Sequence, residues 1–402
     1  MRHITAHHSV NMLQIIDDSS MGGAENHTRL ITKEFARRGC KTILLCPEGP
    51  YVARFRELGR QDVKIVACPF ISKHYLNPFY GFDLIRLLKA TRLIRGLIKE
   101  NNIQVIHSHK HPADFLTAVS TLGLRGLKRI TTIHSMENKD KFPLWRWWRY
   151  FFIRASLLRF DRVFAVSENV RANTINYFSL PPEKVVTMMN GIDPRELAPD
   201  SSPDEVRRKY GVRGDRFVIL CAGKAEYRKG QDILLRAVSS IVNSGDMKRD
   251  ITLVLAGNAN LRFKKRLQKL SAGLGIEDSV IWAGYVENIS NLLQLADLYV
   301  QPSRWDPLPR ALIEAMGTGV PSIGSDVDGI SELIEHEKSG LLFKSEDADD
   351  LALKLKKSIL RPGLRELWSA EAVRHVSKKH TIRTMADTIE SELYGDNSEN
   401  RS

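Results

Sequence analysis

An α/β chain built from two successive parallel-sheet units is the fold class that three observations predict. Short strand-like apolar runs alternate with amphipathic helical patterns over most of the chain, as strand–helix–strand units do. The alternation breaks once, at Asn190-Gly191-Ile192-Asp193-Pro194 followed by Pro199–Pro203 (PDSSP), which reads as a linker. The length, 402 residues, suits two domains of ordinary size. The boundary is placed at 192, giving units over 1–192 and 193–377.

In chain order, residues 1–11 read either as a disordered extension or as sequence ahead of a start at Met12. The first strand is Met12–Ile16, and Gly22–Gly23 open a helix over Ala24–Arg38 with Ile31 and Phe35 on one face and Gly39 as its stop. Further strands are predicted at Thr42–Cys46, Val63–Val66, Gln104–His107, Ile130–His134, Arg162–Val166 and Val185–Met189, with the clearest helix at Asp83–Glu100. The second series has strands at Phe217–Cys221, Ile251–Ala256, Val280–Trp282, Leu298–Gln301 and Pro321–Ile323. Helices are predicted at Ser345–Leu360 and Thr381–Tyr394, and Gly395–Ser402 reads as a frayed tail. Both halves therefore read as Rossmann-type parallel sheets sharing architecture but not residues.

No apolar run approaches the ~20 residues of a membrane span, and residues 1–11 lack the apolar core of a signal peptide. Cys40, Cys46, Cys68 and Cys221 have no paired spacing, which argues for small buried apolar residues rather than zinc or disulfides. The net charge of +13 is uneven: Met1–Asn190 holds 29 Lys+Arg against 15 Asp+Glu, whereas the remainder holds 31 against 32. Such a skew suggests a polyanionic partner for the first half, nucleic acid or an anionic membrane face.

The most informative stretch is Pro302–Pro321, PSRWDPLPRALIEAMGTGVP. Pro307 and Pro309 keep the helix from starting much before Pro309. Asp306 then lies on the loop and Glu314 in the second helical turn. The free N–H groups of the helix start favour an anion beside them. Phosphates at one end and hydroxyls at the other, as in a sugar nucleotide, suit this combination. The stretch resembles the signature of the retaining glycosyltransferases of family 4, which have the GT-B fold: an acid, seven residues, then Glu, here Asp306 and Glu314, followed by Ala315, Met316, Gly319 and Pro321.

The resemblance runs from Gly22 to Gly340–Phe343. It implies two Rossmann-like domains facing each other across a cleft, with a last helix at about 378–396 packing back onto the first. Gly22–Gly23–Ala24–Glu25 is similar to the family's GGAE loop, which faces the donor diphosphate and sugar. His134, in ITTIHS, is similar to the family's histidine beside the reacting carbon. His107, His109 and His111 alternate in IHSHKH; with no acidic or cysteine partner nearby, a metal site is not expected there, and His109 is placed near the cleft. Lys224 and Lys229, in GKAEYRKG, resemble the basic pair that holds the diphosphate, with Lys224 in place of the usual arginine and Arg228 as compensation. Gly257 and Tyr285–Val286 correspond to strand ends beside the nucleotide base. By the same resemblance Glu314 binds ribose hydroxyls and Asp306, with Leu308 and Arg310 around it, meets the donor sugar. Asp306 is shorter than the family's usual Glu. Pro309 removes one amide, which leaves Arg310 and Ala311 to donate.

The implied activity is retaining, metal-independent sugar transfer of the hexosyltransferase type. The donor is a nucleotide-sugar, a UDP-sugar preferred, acting as co-substrate with no cofactor. The acceptor is a lipid-linked or lipopolysaccharide-type glycan. Catalytic roles fall to His134, Asp306 and Lys229. The basic aromatic stretch Leu144–Phe160 and the basic face of Asp83–Glu100 (Lys89, Arg92, Arg95, Lys99) favour an anionic membrane surface. The expected location is cytoplasmic, peripheral on the inner-membrane face. Nucleic-acid binding without catalysis explains the charge but not Asp306 and Glu314. Another GT-B reaction, such as sugar-nucleotide epimerisation or α-glucan synthesis, is a further alternative.

Overall fold

The computed structural model describes residues 10–19, 22–58, 63–71, 83–137, 145–244, 250–258 and 260–395. Most of the N-terminal extension, Leu144 and the last seven residues lie outside them. The chain divides into two compact units, Met1–Asn190 with Ile382–Ser402, and Gly191–Thr381.

In the first unit the strands are β1 (Met12–Ile16), β2 (Thr42–Cys46), β3 (Val63–Ala67), β4 (Val105–His109), β5 (Lys128–Ile133), β6 (Arg162–Ala165) and β7 (Val185–Thr187). They form one parallel sheet in the order β3-β2-β1-β4-β5-β6-β7. All residues of β1, β2 and β4 are buried, as in a parallel sheet covered on both faces. The helices are α1 (Gly23–Arg37), α2 (Val52–Arg56), α3 (Leu84–Glu100), α4 (His111–Ser120), α5 (Trp145–Leu158) and α6 (Glu168–Phe178). On one side α4 packs against both α3 and α5.

The second unit holds β8 (Phe217–Ala222), β9 (Ile251–Ala256), β10 (Val280–Gly284), β11 (Leu298–Gln301), β12 (Ser322–Ser325) and β13 (Leu341–Phe343), a parallel sheet in the order β10-β9-β8-β11-β12-β13. Its helices are α7 (Pro203–Tyr210), α8 (Gln231–Asn243), α9 (Leu261–Gly273), α10 (Ser290–Leu293), α11 (Arg310–Gly317), α12 (Asp328–Leu333), α13 (Ala348–Leu360) and α14 (Pro362–Lys379). Helix α15 (Ile382–Tyr394) belongs to the first unit, where Met385, Ala386 and Ile389 join the core made by Met12, Ile31 and Phe35.

Several expectations are corrected. Val10 and Asn11 are not part of a loose extension: Val10 is in the core, and Asn11 bonds Gln104 and the Asn101 carbonyl. Strand β4 continues two residues further, through His109, because Ser108 and His109 pair with β5. Strand β5 ends at Ile133, so His134 lies just beyond it. Strand β13 and helix α14 were not anticipated. The first is only three residues long, and the second follows α13 with a single intervening residue, so that the two helices read as one charged run. The charge skew is also smaller in space than along the chain. Asp387 and Glu390 pair with the buried Arg38, and Glu392 pairs with Arg162, so α15 returns acid to the basic unit.

Candidate active site

Open parallel sheets bind ligands beyond the carboxyl ends of their strands, where the strand order reverses. In the second unit that point lies between β8 and β11, and the predicted residues follow those two strands. After β8 come Gly223, Lys224 and Lys229; after β11 come Asp306 and the start of α11.

Asp306 is buried, with its carboxylate 2.5 Å from Lys229 Nζ and 3.5 Å from Arg228. Behind it runs a chain of donors: Tyr299 OH to Gln301 Oε1 (2.7 Å), Gln301 Nε2 to Ser303 Oγ (2.8 Å), and Ser303 Oγ to Asp306 Oδ2 (3.2 Å). The short acid is thereby held in one orientation by groups from three segments. Pro309 is the N-cap of α11, in extended conformation, and its carbonyl accepts from the amides of Leu312 and Ile313. The Arg310 and Ala311 amides remain without a backbone or side-chain acceptor among the described residues, as a helix start requires. Glu314, one turn into α11, accepts two hydrogen bonds from Arg310, at 3.0 and 2.8 Å. Leu308 is buried beneath the turn.

Lys229 and Lys224 do not act as an equivalent pair. Lys224 is largely exposed and 3.7 Å from Glu226, which also pairs with Arg228. Lys229 is enclosed, and its aliphatic carbons line the place a side chain on Gly223 would take. A cavity of 290 Å³ lies beside this turn, lined by Gly223, Gly257, Asn258, Trp282 and Tyr285 among others. Gly257 has φ +136°, and a Cβ there would come within 2.2 Å of the Gly223 carbonyl. The close turn-to-turn approach therefore requires glycine. Tyr285 lines the cavity whereas Val286 does not.

In the first unit the order reverses between β1 and β4. Gly22 caps α1 in extended conformation, and Gly23 is its first residue. A Cβ on Gly22 would meet the Glu25 carboxylate at 2.4 Å. Buried Glu25 folds back over the turn and is held by Lys110 Nζ at 2.5 Å. Lys110 pays for this reach with a left-handed φ of +74°, a conformation that side chains adopt only when the surroundings impose it. Asp17, at the end of β1, is buried, and burial pushes its carboxyl up to about 7.

The histidines sort by environment. His107 is buried against Thr132 Oγ1 at 2.8 Å. His111 contradicts the expectation of no acidic neighbour: it lies 3.3 Å from both Asp114 and Glu137. Burial disfavours its charge, but hydrogen bonds to these two acids outweigh that and raise its pKa to about 9. His109 and His134 meet at 3.4 Å, and burial holds both well below the usual imidazole range. The sequence reasoning missed Glu25, Lys110, Asp17 and His27, although the first two stand within motifs it singled out.

All four cysteines are free and buried, and burial pushes the thiols of Cys46 and Cys221 up to about 12. They are inert packing residues.

Two family models match the chain: Glycosyltransferase Family 4 over residues 21–196, and Glycosyl transferases group 1 over 202–375. The chain belongs to the family 4 glycosyltransferases. A stretch of 230 residues is 31% identical to an uncharacterized glycosyltransferase of Methanocaldococcus jannaschii, covering 56% of this chain and 57% of that one. The chain thus spans little more than half the length of that relative. The UDP-Gal:alpha-D-GlcNAc-diphosphoundecaprenol alpha-1,3-galactosyltransferase of Escherichia coli is 23% identical over 67% of this glycosyltransferase-family chain and 70% of its own. The structure of Anabaena HepE in complex with UDP and glucose superposes with a TM-score of 0.78 over 96% of this chain and 99% of that one, at 20% identity. That likeness is one of fold, and it confirms the GT-B architecture.

Proposed function

We propose that the chain is a retaining glycosyltransferase that moves a sugar from a UDP-sugar to a hydroxyl of a lipid-linked glycan. The observation that carries this reading is the convergence at the second sheet's switch point. Lys229, Arg228 and the open amides of Arg310 and Ala311 supply positive potential beside Asp306 and Glu314. In this reading Glu314 accepts from ribose hydroxyls, Asp306 from the donor sugar, and the cavity at Gly257 and Tyr285 takes the base. In the first unit, Gly22 and Gly23 leave the α1 start open to close approach by a ligand, and neutral His134 is the candidate sugar contact that the family resemblance implies. Val286, outside the cavity lining, and exposed Lys224 have weaker claims.

Lys229 carries three N–H donors, so it holds Asp306 and still has two for a departing phosphate. Catalysis rests on positioning the acceptor hydroxyl and stabilising the diphosphate's charge. The departing phosphate takes the acceptor's proton on the face it leaves, which retains configuration. No step in this scheme calls for a metal. The Escherichia coli relative, named for a UDP-sugar donor and a diphosphoundecaprenol-linked acceptor, supports the choice of substrates. A lipopolysaccharide-type glycan is the same kind of amphiphilic acceptor.

A membrane-facing surface fits such an acceptor. No helix among the described residues is long and apolar enough to span a bilayer. Yet α3 exposes Leu84, Ile85 and Leu88, and α5 exposes Trp147, Trp148 and Phe151. Both helices pack on α4, with Arg86, Lys89 and Arg92 exposed along α3. Arginine beside exposed aromatic rings suits an anionic headgroup layer. By contrast, Arg95 and Arg154 bond backbone carbonyls and are not part of it.

A thermal-shift panel of UDP-, GDP- and ADP-sugars tests the donor site, since a ligand of the native state raises the melting temperature. Stabilisation by UDP-sugars that disappears in Glu314→Ala is expected. Equal stabilisation of both proteins would sink the assignment. Flotation with phosphatidylglycerol vesicles tests the surface: Trp147→Ser with Phe151→Ser should release the protein, and unchanged flotation would refute it.

A further inference from the structure

The nitrogen atoms of His27, His109 and His134 that face one another all lie within 4.8 Å. These residues come from α1, the last position of β4 and the position after β5, so only the folded sheet assembles them. The ring centroids are 4.7 to 5.6 Å apart. We propose that His27, His109 and His134 form a binding site for one divalent transition-metal ion of the zinc class, with three imidazole ligands and a fourth position open on the partly exposed His134 side.

Orientation supports it. The Asn190 Oδ1 faces His27 Nδ1 at 2.9 Å, and Gln14 Oε1 faces His109 Nε2 at 2.9 Å. An amide oxygen only accepts, so each of these ring nitrogens carries the proton and the other nitrogen of each ring carries the lone pair. Metal-bound histidines are oriented by such acceptors. His109 Nδ1 then faces His134 Nε2 at 3.4 Å. Metal–nitrogen bonds of about 2.0 Å in tetrahedral geometry place ligand atoms about 3.3 Å apart, so this pair already has the spacing and His27 has to close on it. A single proton joins two of the rings; a cation gathers all three.

Donor type agrees as well. Three nitrogens without a carboxylate select zinc, cobalt, nickel or copper over magnesium or calcium. His107 and His111 are not members, being committed to Thr132 and to Asp114 with Glu137. The proposal concerns binding alone and stands whether or not His134 also touches a donor.

The test is a cobalt titration of the full chain in which His3, His7 and His8 are replaced by Gln, so that the histidines of the N-terminal stretch do not compete. One equivalent of Co²⁺ should bind with visible d–d absorption and be displaced by Zn²⁺. His27→Gln should weaken binding at least about 100-fold, and Gln14→Leu, which removes only the orienting acceptor, about 10- to 100-fold. His336→Gln, outside the cluster, should leave it unchanged. If His109→Gln fails to fold, His27→Gln and the partly exposed His134→Gln still decide the matter. Absence of saturable cobalt binding, or equal binding by His27→Gln, overturns the proposal. Activity is not read, so failure here is separable from failure of the donor assignment.

Discussion

The two sheet ends keep buried polar groups by opposite means. In the first unit, His109 and His134 are neutral and joined to each other and to an amide. In the second, Asp306 and Glu314 are matched to Lys229, Arg228 and Arg310. Their ordinary pKa values explain the difference. An imidazole sheds its proton near pH 7 at almost no cost, whereas protonating an ordinary carboxylate there costs about 4 kcal/mol. Burial therefore discharges histidines but obliges carboxylates to bring cations. Those cations are then in place for a phosphate, so the anion site follows from how the acids are buried. Within the first unit Glu25 follows the carboxylate rule through Lys110, while two groups are exceptions: Asp114 and Glu137 hold buried His111 charged, and burial, aided by neighbouring carboxylates and opposed by Lys110, drives Asp17 up to about 7.

The largest expected effect comes from breaking a matched pair. Asp306→Ala strands the enclosed Lys229 and should cost about 3–5 kcal/mol in urea or thermal unfolding. Asp306→Ala with Lys229→Met should recover most of that. A double variant no more stable than the single one would show that the pair is not the source.

Next is Glu314→Gln, which keeps shape but removes charge. Donor affinity should fall about 10- to 100-fold, in line with ~1.5–3 kcal/mol for a hydrogen bond to a charged group. Calorimetry with UDP-sugar reads it, and an unchanged Kd would place the ribose elsewhere.

The pH response separates the first unit's two exceptional groups. His111 titrates at about 9 in the fold against 6.5 when free. Its contribution is complete below about pH 6.5 and fades as pH rises through about 9. Asp17 titrates at about 7 against 3.8, so the fold binds the extra proton, and stability falls between about pH 4 and 7. Unfolding curves across pH should lose the lower slope in Asp17→Asn and the upper one in His111→Gln. Slopes unchanged by these variants would refute the assignments.

Smallest is Lys224→Ala. With its ammonium exposed beside Glu226, stability should stay within about 0.5 kcal/mol. A larger loss in thermal unfolding would mean that this lysine is matched as closely as Lys229.

Local pattern made much of this legible. The runs MLQII, TILLC, ITLVLA and LYVQ occupy the predicted strand bounds, because apolar runs between turn residues have few other outcomes. The start of α11 was equally readable, since two prolines and the residues after them leave little choice of N-terminus. The order of strands, with both reversals, was not in any local pattern; yet it decides that the turns after β1 and β4 meet in the first unit, and those after β8 and β11 in the second.

By itself, then, the sequence determined the alternating α/β plan, the family signature at Asp306 and Glu314, and the glycine turns, each settled by neighbours in the chain. Only the tertiary structure decided which charges meet. It gave Lys229 to Asp306, left Lys224 beside Glu226, set His111 between Asp114 and Glu137, and brought His27 to His109 and His134. The physical reason is range. Hydrophobic period and backbone restriction act over a few residues, but an ion pair or an imidazole cluster depends on distances that the tertiary fold sets between residues as many as 352 positions apart, as from Arg38 to Glu390.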